Sequence, residues 1–334
     1  MRRILALLLF LGVAVGGVLF HFVFQIEGLD NVFVRRRPVS ENTTYTSTSN
    51  PTPGSRDPLE RTKNAIRIGS FNIEVFGPHK SSQPHIMDII ARTVRQFDVL
   101  AIQEIRSKDQ SLIPDLVRQV NTLGVNYGYL LGPRLGRTHS KEQYAYLFNT
   151  DTIDVDREAT YTVSDPHDRM HREPFVALFR ARGPDTKEAF TFKLVNIHVD
   201  PDFVEEELNA LDDVYYAVLN DGDEEDDIIL LGDFNTGEQR MYQLGSVPDI
   251  NAALDGTTTN TLRTQAYDNL VFHDRSTIEF VGRSGVLDLL RVFNLTSQQA
   301  QEISDHLPVW ADFSVYEGGD RGRVAARPDA GQRN

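Results

Sequence analysis

The chain has 334 residues, 40% hydrophobic and 25% charged, an ordinary globular usage for a chain long enough to bury a large core. It contains no cysteine, which excludes disulfides, thiolate metal sites and cysteine nucleophiles. The net charge is −14; residues 1–63 carry 8 Lys/Arg against 5 Asp/Glu and residues 318–334 carry 4 against 2, so the stretch between them holds −19, a field that opposes nucleic acid unless divalent cations or local arginines reverse it.

Residues 4–24, "ILALLLFLGVAVGGVLFHFVF", hold one ionisable side chain, His21. As a helix rising about 1.5 Å per residue, this run matches the roughly 30 Å hydrocarbon core of a bilayer. It is longer than the ~7–15-residue apolar core of a cleaved signal. Residues 1–25 therefore predict a transmembrane anchor, with a signal segment as the other reading. Arg2 and Arg3 favour an inside N-terminus, against Arg35, Arg36 and Arg37 beyond the helix. The expectation is a membrane-anchored chain with its bulk outside the cytoplasm, or a secreted one. Residues 26–63 are rich in Ser, Thr and Pro and read as a disordered linker, and "NTT" at 42–44 is a glycosylation sequon. Residues 318–334 read as a flexible tail.

Residues 64–317 form one predicted domain. Its expected strands are 66–73, 98–105, 143–149, 175–181, 190–198, 227–232, 267–273 and 308–315. Helical periodicity marks 85–97, 111–123 and 203–219. Strands with interspersed helices imply two packed sheets or an α/β sandwich. No internal repeat is visible.

The strands stop on polar residues. Asn72, Glu104, His198, Asp233 and Asn235 close apolar runs, Asp268 opens one, and Asp305 and His306 precede the last. If the strand through "LLGDFNT" continued, Asp233 and Asn235 would face the same space. Taken singly, each residue has an ordinary role. Asn72 can cap a turn, His198 can be a structural histidine, and Asp268 and Asp305 can form a salt bridge or a cap. Together they make a working set of carboxylates, amides and two histidines. Hard oxygen donors select Mg²⁺, Mn²⁺ or Ca²⁺. Two imidazoles can supply a general base and a general acid. The chemistry implied is metal-assisted phosphoester hydrolysis.

The phrases "SFNIEVFG", "IQEIR", "VNIHVDP", "LLGDFN", "AYDNLVF" and "ISDHLPV" occur in this order across the domain. In that order they resemble the endonuclease/exonuclease/phosphatase superfamily. "LGPRLGRTHSKEQYAYLFNTDTI" (131–153) and "HREPFVALF" (171–179) are similar to its deoxyribonuclease I branch. The resemblance implies a four-layer α/β sandwich, with two central, mostly antiparallel sheets flanked by helices. It implies Glu142 with His198 and Asp268 with His306 as catalytic pairs. Glu104 would be the main metal ligand, with Asn72 and Asp305 nearby. Asp233 and Asn235 would orient phosphate and water, Arg172 would contact the scissile phosphate, and Arg106 and Arg137 would contact DNA. The cofactor implied is Mg²⁺ or Mn²⁺, with Ca²⁺ a further candidate. The expected partners are DNA and, through the N-terminal helix, the membrane, with a monomeric catalytic domain. Two positions depart from the pattern: Glu74 stands where the family carries a minor-groove arginine, and Ser140 where it carries a groove-stacking tyrosine. Both weaken the case for DNA. They keep open a phospholipid or sphingomyelin phosphodiesterase, or an inositol-phosphate phosphatase. A non-catalytic membrane-tethered interaction module is the third reading, opposed by the complete set of histidines and carboxylates.

Overall fold

The computed structural model describes residues 61–138 and 140–319. The expected anchor, almost all of the linker and nearly the whole tail lie outside the described residues. Among the described residues, no helix is long and apolar enough to cross a membrane.

Twelve strands make two six-stranded sheets. In the first the order is β11 (Phe280–Val286), β12 (Val309–Ser314), β1 (Ala65–Phe76), β2 (Val99–Ile105), β4 (Gln143–Asn149), β3 (Tyr127–Leu131). In the second it is β5 (Ile153–Thr162), β6 (Phe175–Ala181), β7 (Thr191–His198), β8 (Ile228–Asp233), β10 (Asp268–His273), β9 (Ile250–Ala252). Each sheet has one parallel pair at its centre, β1 with β2 and β7 with β8, and every other pairing is antiparallel.

Three apolar layers hold four structural layers together. Between the sheets lie Ile68, Val99, Tyr146, Phe179, Phe192, Leu231, Leu270 and Phe313. On the outer face of the first sheet, Leu100, Ile102 and Leu147 pack against α2 (Pro84–Val94) and α3 (Leu112–Val120), next to the short α1 (Pro78–Ser81), α6 (Leu289–Val292) and α7 (Ser297–Ile303). On the outer face of the second, Val195, Ile228 and Leu230 pack against α4 (Val204–Leu208) and α5 (Leu211–Leu219). The fold is the expected four-layer sandwich. Burial on both faces explains why the central strands read as unbroken apolar runs rather than alternating ones.

Two expected elements differ. The helix expected over 203–219 is two helices, broken at Asn209 and Ala210. The two pieces answer different packing demands. α5 lays Leu211, Val214 and Val218 on the sheet, while α4 turns the fully buried Glu207 inward to accept the His171 and Asp200 backbone N–H groups at 2.7 and 3.0 Å. The first strand continues past Asn72 to Phe76, with its pairing to β2 shifted between those residues and Glu74 and Val75 at positive φ. Such an irregularity re-aims side chains at a strand end.

The two sheets are held in register by a buried polar bridge. Gln103 donates to Asn196 Oδ1 at 2.6 Å and exchanges hydrogen bonds with Ser70, while Asn196 Nδ2 donates to the Ile102 and Ala145 carbonyls at 3.3 and 3.2 Å. Gln103 adjoins Glu104, and Asn196 is two residues before His198, so this bridge sets the distance between the polar strand ends of the two sheets.

Gly232 allows the parallel strands to approach. Its φ is +149°, and a Cβ there would meet the Ile197 carbonyl oxygen at 2.0 Å. Gly232→Ala is expected to destabilise the fold by about 3 kcal/mol or more, through combined strain and backbone clash. Equilibrium denaturation checks this, and a loss under ~1 kcal/mol contradicts it.

Candidate active site

Strand direction brings the polar residues together. β1 and β2 end on one side of the first sheet, β7 and β8 on the same side of the second. β10 runs antiparallel to β8 and starts there, with Asp268 paired to Asp233. β12 runs antiparallel to β1, so Asp305 and His306 enter at the same end. β4 runs antiparallel to β2, which puts Glu142, just before it, beside the end of β2. The result is one mouth formed by both sheets.

Two imidazole–carboxylate pairs face each other there. His198 Nδ1 lies 2.6 Å from Glu142 Oε1, and His306 Nδ1 lies 2.8 Å from Asp268 Oδ2. The opposite ring nitrogens converge on one oxygen: Asp233 Oδ2 is 3.7 Å from His198 Nε2 and 3.5 Å from His306 Nε2. All five side chains are buried. Burial alone would raise Glu142, but its contacts with His198, Arg172 and Arg106 override it and hold the carboxyl at about 2. Burial likewise opposes the charged form of both imidazoles, yet Glu142 raises His198, and Asp268 with Asp233 raises His306 well above the ordinary histidine range. Asp233 is raised by burial and by its neighbour Asp268. These are groups poised to hold and release protons.

Around the pairs, Asn72 Nδ2 donates to Glu104 Oε1 at 3.3 Å and to Asp233 Oδ2 at 3.0 Å. Glu104, at φ +59°, has its other oxygen held by the Val75 N–H and by Arg106, both at 2.9 Å. Arg106 also reaches Glu142 at 3.4 Å, so it bridges the two carboxylates. Arg172 is buried, donates from Nε to Glu142 at 2.7 Å and to the His198 carbonyl at 3.1 Å, and keeps Nη2 without any partner. Asp305 sits at the rim, 3.8 Å from His306 and 59% exposed at its side chain.

One expectation is corrected. The strand through "LLGDFNT" ends at Asp233, and Asn235 lies beyond it at φ +52°. Asn235 therefore does not share a strand face with Asp233. Its backbone N–H donates to Asp233 Oδ1 at 2.8 Å and its side-chain amide to the Val199 carbonyl at 2.7 Å. Arg137 is not brought to the histidine pairs. It is held by Asp168 at 2.9 Å and by the Met170 carbonyl at 3.1 Å.

Several supporting residues carried no signal in the sequence. The buried Thr259 donates its hydroxyl to Asp268 at 2.7 Å and accepts the Asp268 N–H at 3.0 Å. Ser304 donates to the Asn72 carbonyl at 2.7 Å and accepts the His306 N–H at 3.0 Å. Lys80 is buried against the carbonyls of Ile73 and Ile303, at 2.8 Å each, and that burial lowers its pKa. The pattern "TTTN" or "SD" is common in loops, and only the strand topology makes these hydroxyls neighbours of the histidines.

A divalent cation fits these donors. Glu104 and Asp233 share the Asn72 amide, and Asp268 Oδ1 is buried with no hydrogen bond. Ligand atoms of Asp233, Asp268 and His306 lie within 4.8 Å of one another. Glu104 offers one further carboxylate, which suits an ion such as Mg²⁺ that takes one or two carboxylates and completes its shell with water and phosphate oxygens. The unpartnered Arg172 Nη2 suits an anion at the same mouth.

A two-sheet sandwich whose mouth holds two imidazole–carboxylate pairs around a shared aspartate is the layout of an acid–base hydrolase. Residues 69–278 match the model of the Endonuclease/Exonuclease/phosphatase family, and the chain belongs to that family. It is 33% identical over 268 residues to deoxyribonuclease-1-like 2 of Mus musculus, covering 75% of this chain and 93% of that protein. It is 33% identical over 272 residues to deoxyribonuclease-1 of Gallus gallus, again covering 75% and 93%. Against deoxyribonuclease gamma of Homo sapiens the identity is 29% over 262 residues, 73% of this chain and 85% of the relative. Among solved structures, a family protein from Bacteroides thetaiotaomicron superimposes with a TM-score of 0.52 at 18% identity, covering 74% of this chain and 94% of that one. The human Nocturnin catalytic domain with bound sulfate does so with 0.52 at 16%, covering 78% and 100%. These two show the fold.

Proposed function

We propose that the chain is a divalent-metal-dependent endonuclease that hydrolyses DNA phosphodiester bonds. The observation that carries the reading is the pair of imidazoles, each backed by a carboxylate, facing one another across Asp233. In this reading one imidazole takes a proton from the attacking water as the new P–O bond forms. The other gives its proton to the ester oxygen as the old P–O bond breaks. Glu142 and Asp268 hold the two rings in one tautomer and offset the imidazolium charge. Arg172 binds a non-bridging phosphate oxygen through its unpartnered nitrogen, and Arg106 bridges Glu104 and Glu142. Asp233, raised by burial, and the Asn235 turn fix the phosphate and the water. Mg²⁺ or Mn²⁺ held at Glu104, with Asp305 and Asn72 beside it, would polarise the phosphoryl oxygen and neutralise developing charge. The deoxyribonuclease relatives, matched over most of their length, support DNA as substrate.

Glu74 and the acidic domain favour a second reading, in which the same chemistry serves a phosphodiester at a lipid surface. The apolar run 4–24 supports membrane attachment with the catalytic domain outside the cytoplasm, or secretion. A substrate panel separates the two. The full chain with Mg²⁺ is expected to convert supercoiled plasmid to relaxed circles, to stop with chelator, and to leave sphingomyelin vesicles intact. Metal-loaded protein that cleaves the lipid and no DNA overturns the first reading.

A further inference from the structure

A second cluster of acids lies at the other end of the sandwich. Asp227 precedes β8, Glu279 precedes β11 and Glu317 follows β12, so the three stand where those strands are farthest from Asp233 and His306. Asp227 and Glu279 are each only 2% exposed. Ligand atoms of the three carboxylates lie within 4.8 Å of one another. Acidic clusters are common without a ligand, but this one has a second property. Asp227 Oδ1 and Glu279 Oε2 are buried with no hydrogen-bond partner, and the buried Thr277 hydroxyl lies within reach of Asp227. Buried polar atoms are almost always satisfied, and two orphaned carboxylate oxygens in one place mark a missing partner.

A cation would supply that partner. Among the described residues no charged donor reaches these side chains; the groups that do are the Thr277 hydroxyl at Asp227, Gly318 N–H to Glu279 at 2.6 Å and Thr191 N–H to Glu317 at 3.2 Å. Lys193, the basic group that acts on the adjacent Glu225, is held by Asp221 at 2.7 Å and Asp223 at 2.5 Å. Burial, then repulsion from Glu279, pushes Asp227 up to about 9, and burial with repulsion from Glu317 and Glu225 pushes Glu279 up to about 7. We propose that Asp227, Glu279 and Glu317, with the Thr277 hydroxyl, form a structural site for a hard divalent cation, calcium by its chemistry, distinct from the catalytic mouth. The donors are all oxygens, which selects a hard ion over zinc. Calcium takes oxygens at about 2.3–2.6 Å in irregular geometry, so opposite ligands on it stand about 5 Å apart, matching the spread of this set. The ion ties β8 of one sheet to the β11 and β12 ends of the other.

The test uses the full chain, stripped with chelator and returned to about neutral pH. Thermal unfolding is followed with and without calcium chloride in wild type, in Glu104→Gln, and in the double variant Asp227→Asn/Glu279→Gln. Calcium at about 100 times its dissociation constant is expected to raise the midpoint by roughly 5–10 °C in wild type and Glu104→Gln. The double variant, whose amides keep the volume, is expected to show no such rise. If the double variant does not fold, Glu317→Gln at the exposed edge serves instead, with a calcium titration by calorimetry expected to weaken about 10-fold. A full calcium shift in the double variant overturns the proposal. So does a wild type that shows no shift while the amide variants are as stable, which would mean that the acids share protons.

Discussion

His198→Ala lowers kcat by about 10³–10⁴-fold, the range of a positioned acid or base, and leaves KM for plasmid DNA within a few-fold. The geometry separates the two parameters. His198 Nε2 faces Asp233 and Glu104, at 3.7 and 3.9 Å, in the space where the ester must lie, so its loss removes proton transfer. In the proposed reading phosphate binding rests on Arg172, which keeps its own contact to Glu142. The fold survives because Glu142 still faces Arg172 and Arg106 after the imidazole is gone. His306→Ala is expected to fall comparably, and the double variant little further, because the two rings act in one step. His171→Ala is the control: this histidine is bound to Asp200 at 3.2 Å, outside the two pairs. Steady-state kinetics of the four variants check the prediction, and a kcat loss under about 10-fold in His198→Ala removes the imidazole from the chemistry.

The strands that could be read from sequence and those that could not divide on a physical line. Every expected strand is found, and each lies inside a sheet with a neighbour on both sides. The four that gave no signal are β3, β5, β9 and β11, which are the four edges of the two sheets. Edge strands are short or polar on one face: β5 reads "IDVDREATYT" and β11 "FVGRSGV". They lack the continuous apolar run that burial on both faces imposes. The catalytic pairs were legible for the same reason, since an acid or imidazole that ends a fully apolar strand stands out against it. Glu142 is the exception among them. It precedes β4 in a loop, and only the resemblance of "SKEQYAYLF" singled it out. Thr259 and Ser304 had neither kind of signal. Their roles come from hydrogen bonds across 9 residues to Asp268 and across 232 residues to Asn72. Arg137 was singled out by its motif position alone, and it lies apart from the histidine pairs with its guanidinium on Asp168.

Glu104→Gln is expected to lower kcat/KM by about 10³-fold or more at millimolar Mg²⁺, equivalent to roughly 4 kcal/mol of transition-state stabilisation. The substitution keeps the shape of the side chain and one acceptor oxygen, so the contacts of Oε2 with the Val75 N–H and Arg106, or of Oε1 with Asn72, persist in part. What it removes is charge. Glu104 is the carboxylate that faces His198 from the end of β2, and with Arg106 beside it an amide leaves that side of the mouth net positive. A positive wall repels the cation and leaves Asp233 and Asp268 to hold it, two groups already committed to the imidazoles. The loss should therefore appear first as a Mg²⁺ titration displaced to higher concentration, and only partly recover at saturation. Asp305→Asn is the comparison. Its carboxylate is 59% exposed and solvent can replace it, so metal affinity should weaken by only about 10–100-fold, with kcat restored at high Mg²⁺. Circular dichroism and unfolding midpoints should match wild type in both. If Glu104→Gln keeps the wild-type Mg²⁺ dependence, the cation is held by Asp233, Asp268 and His306 instead, and the acid–base roles of that pair must be reassigned.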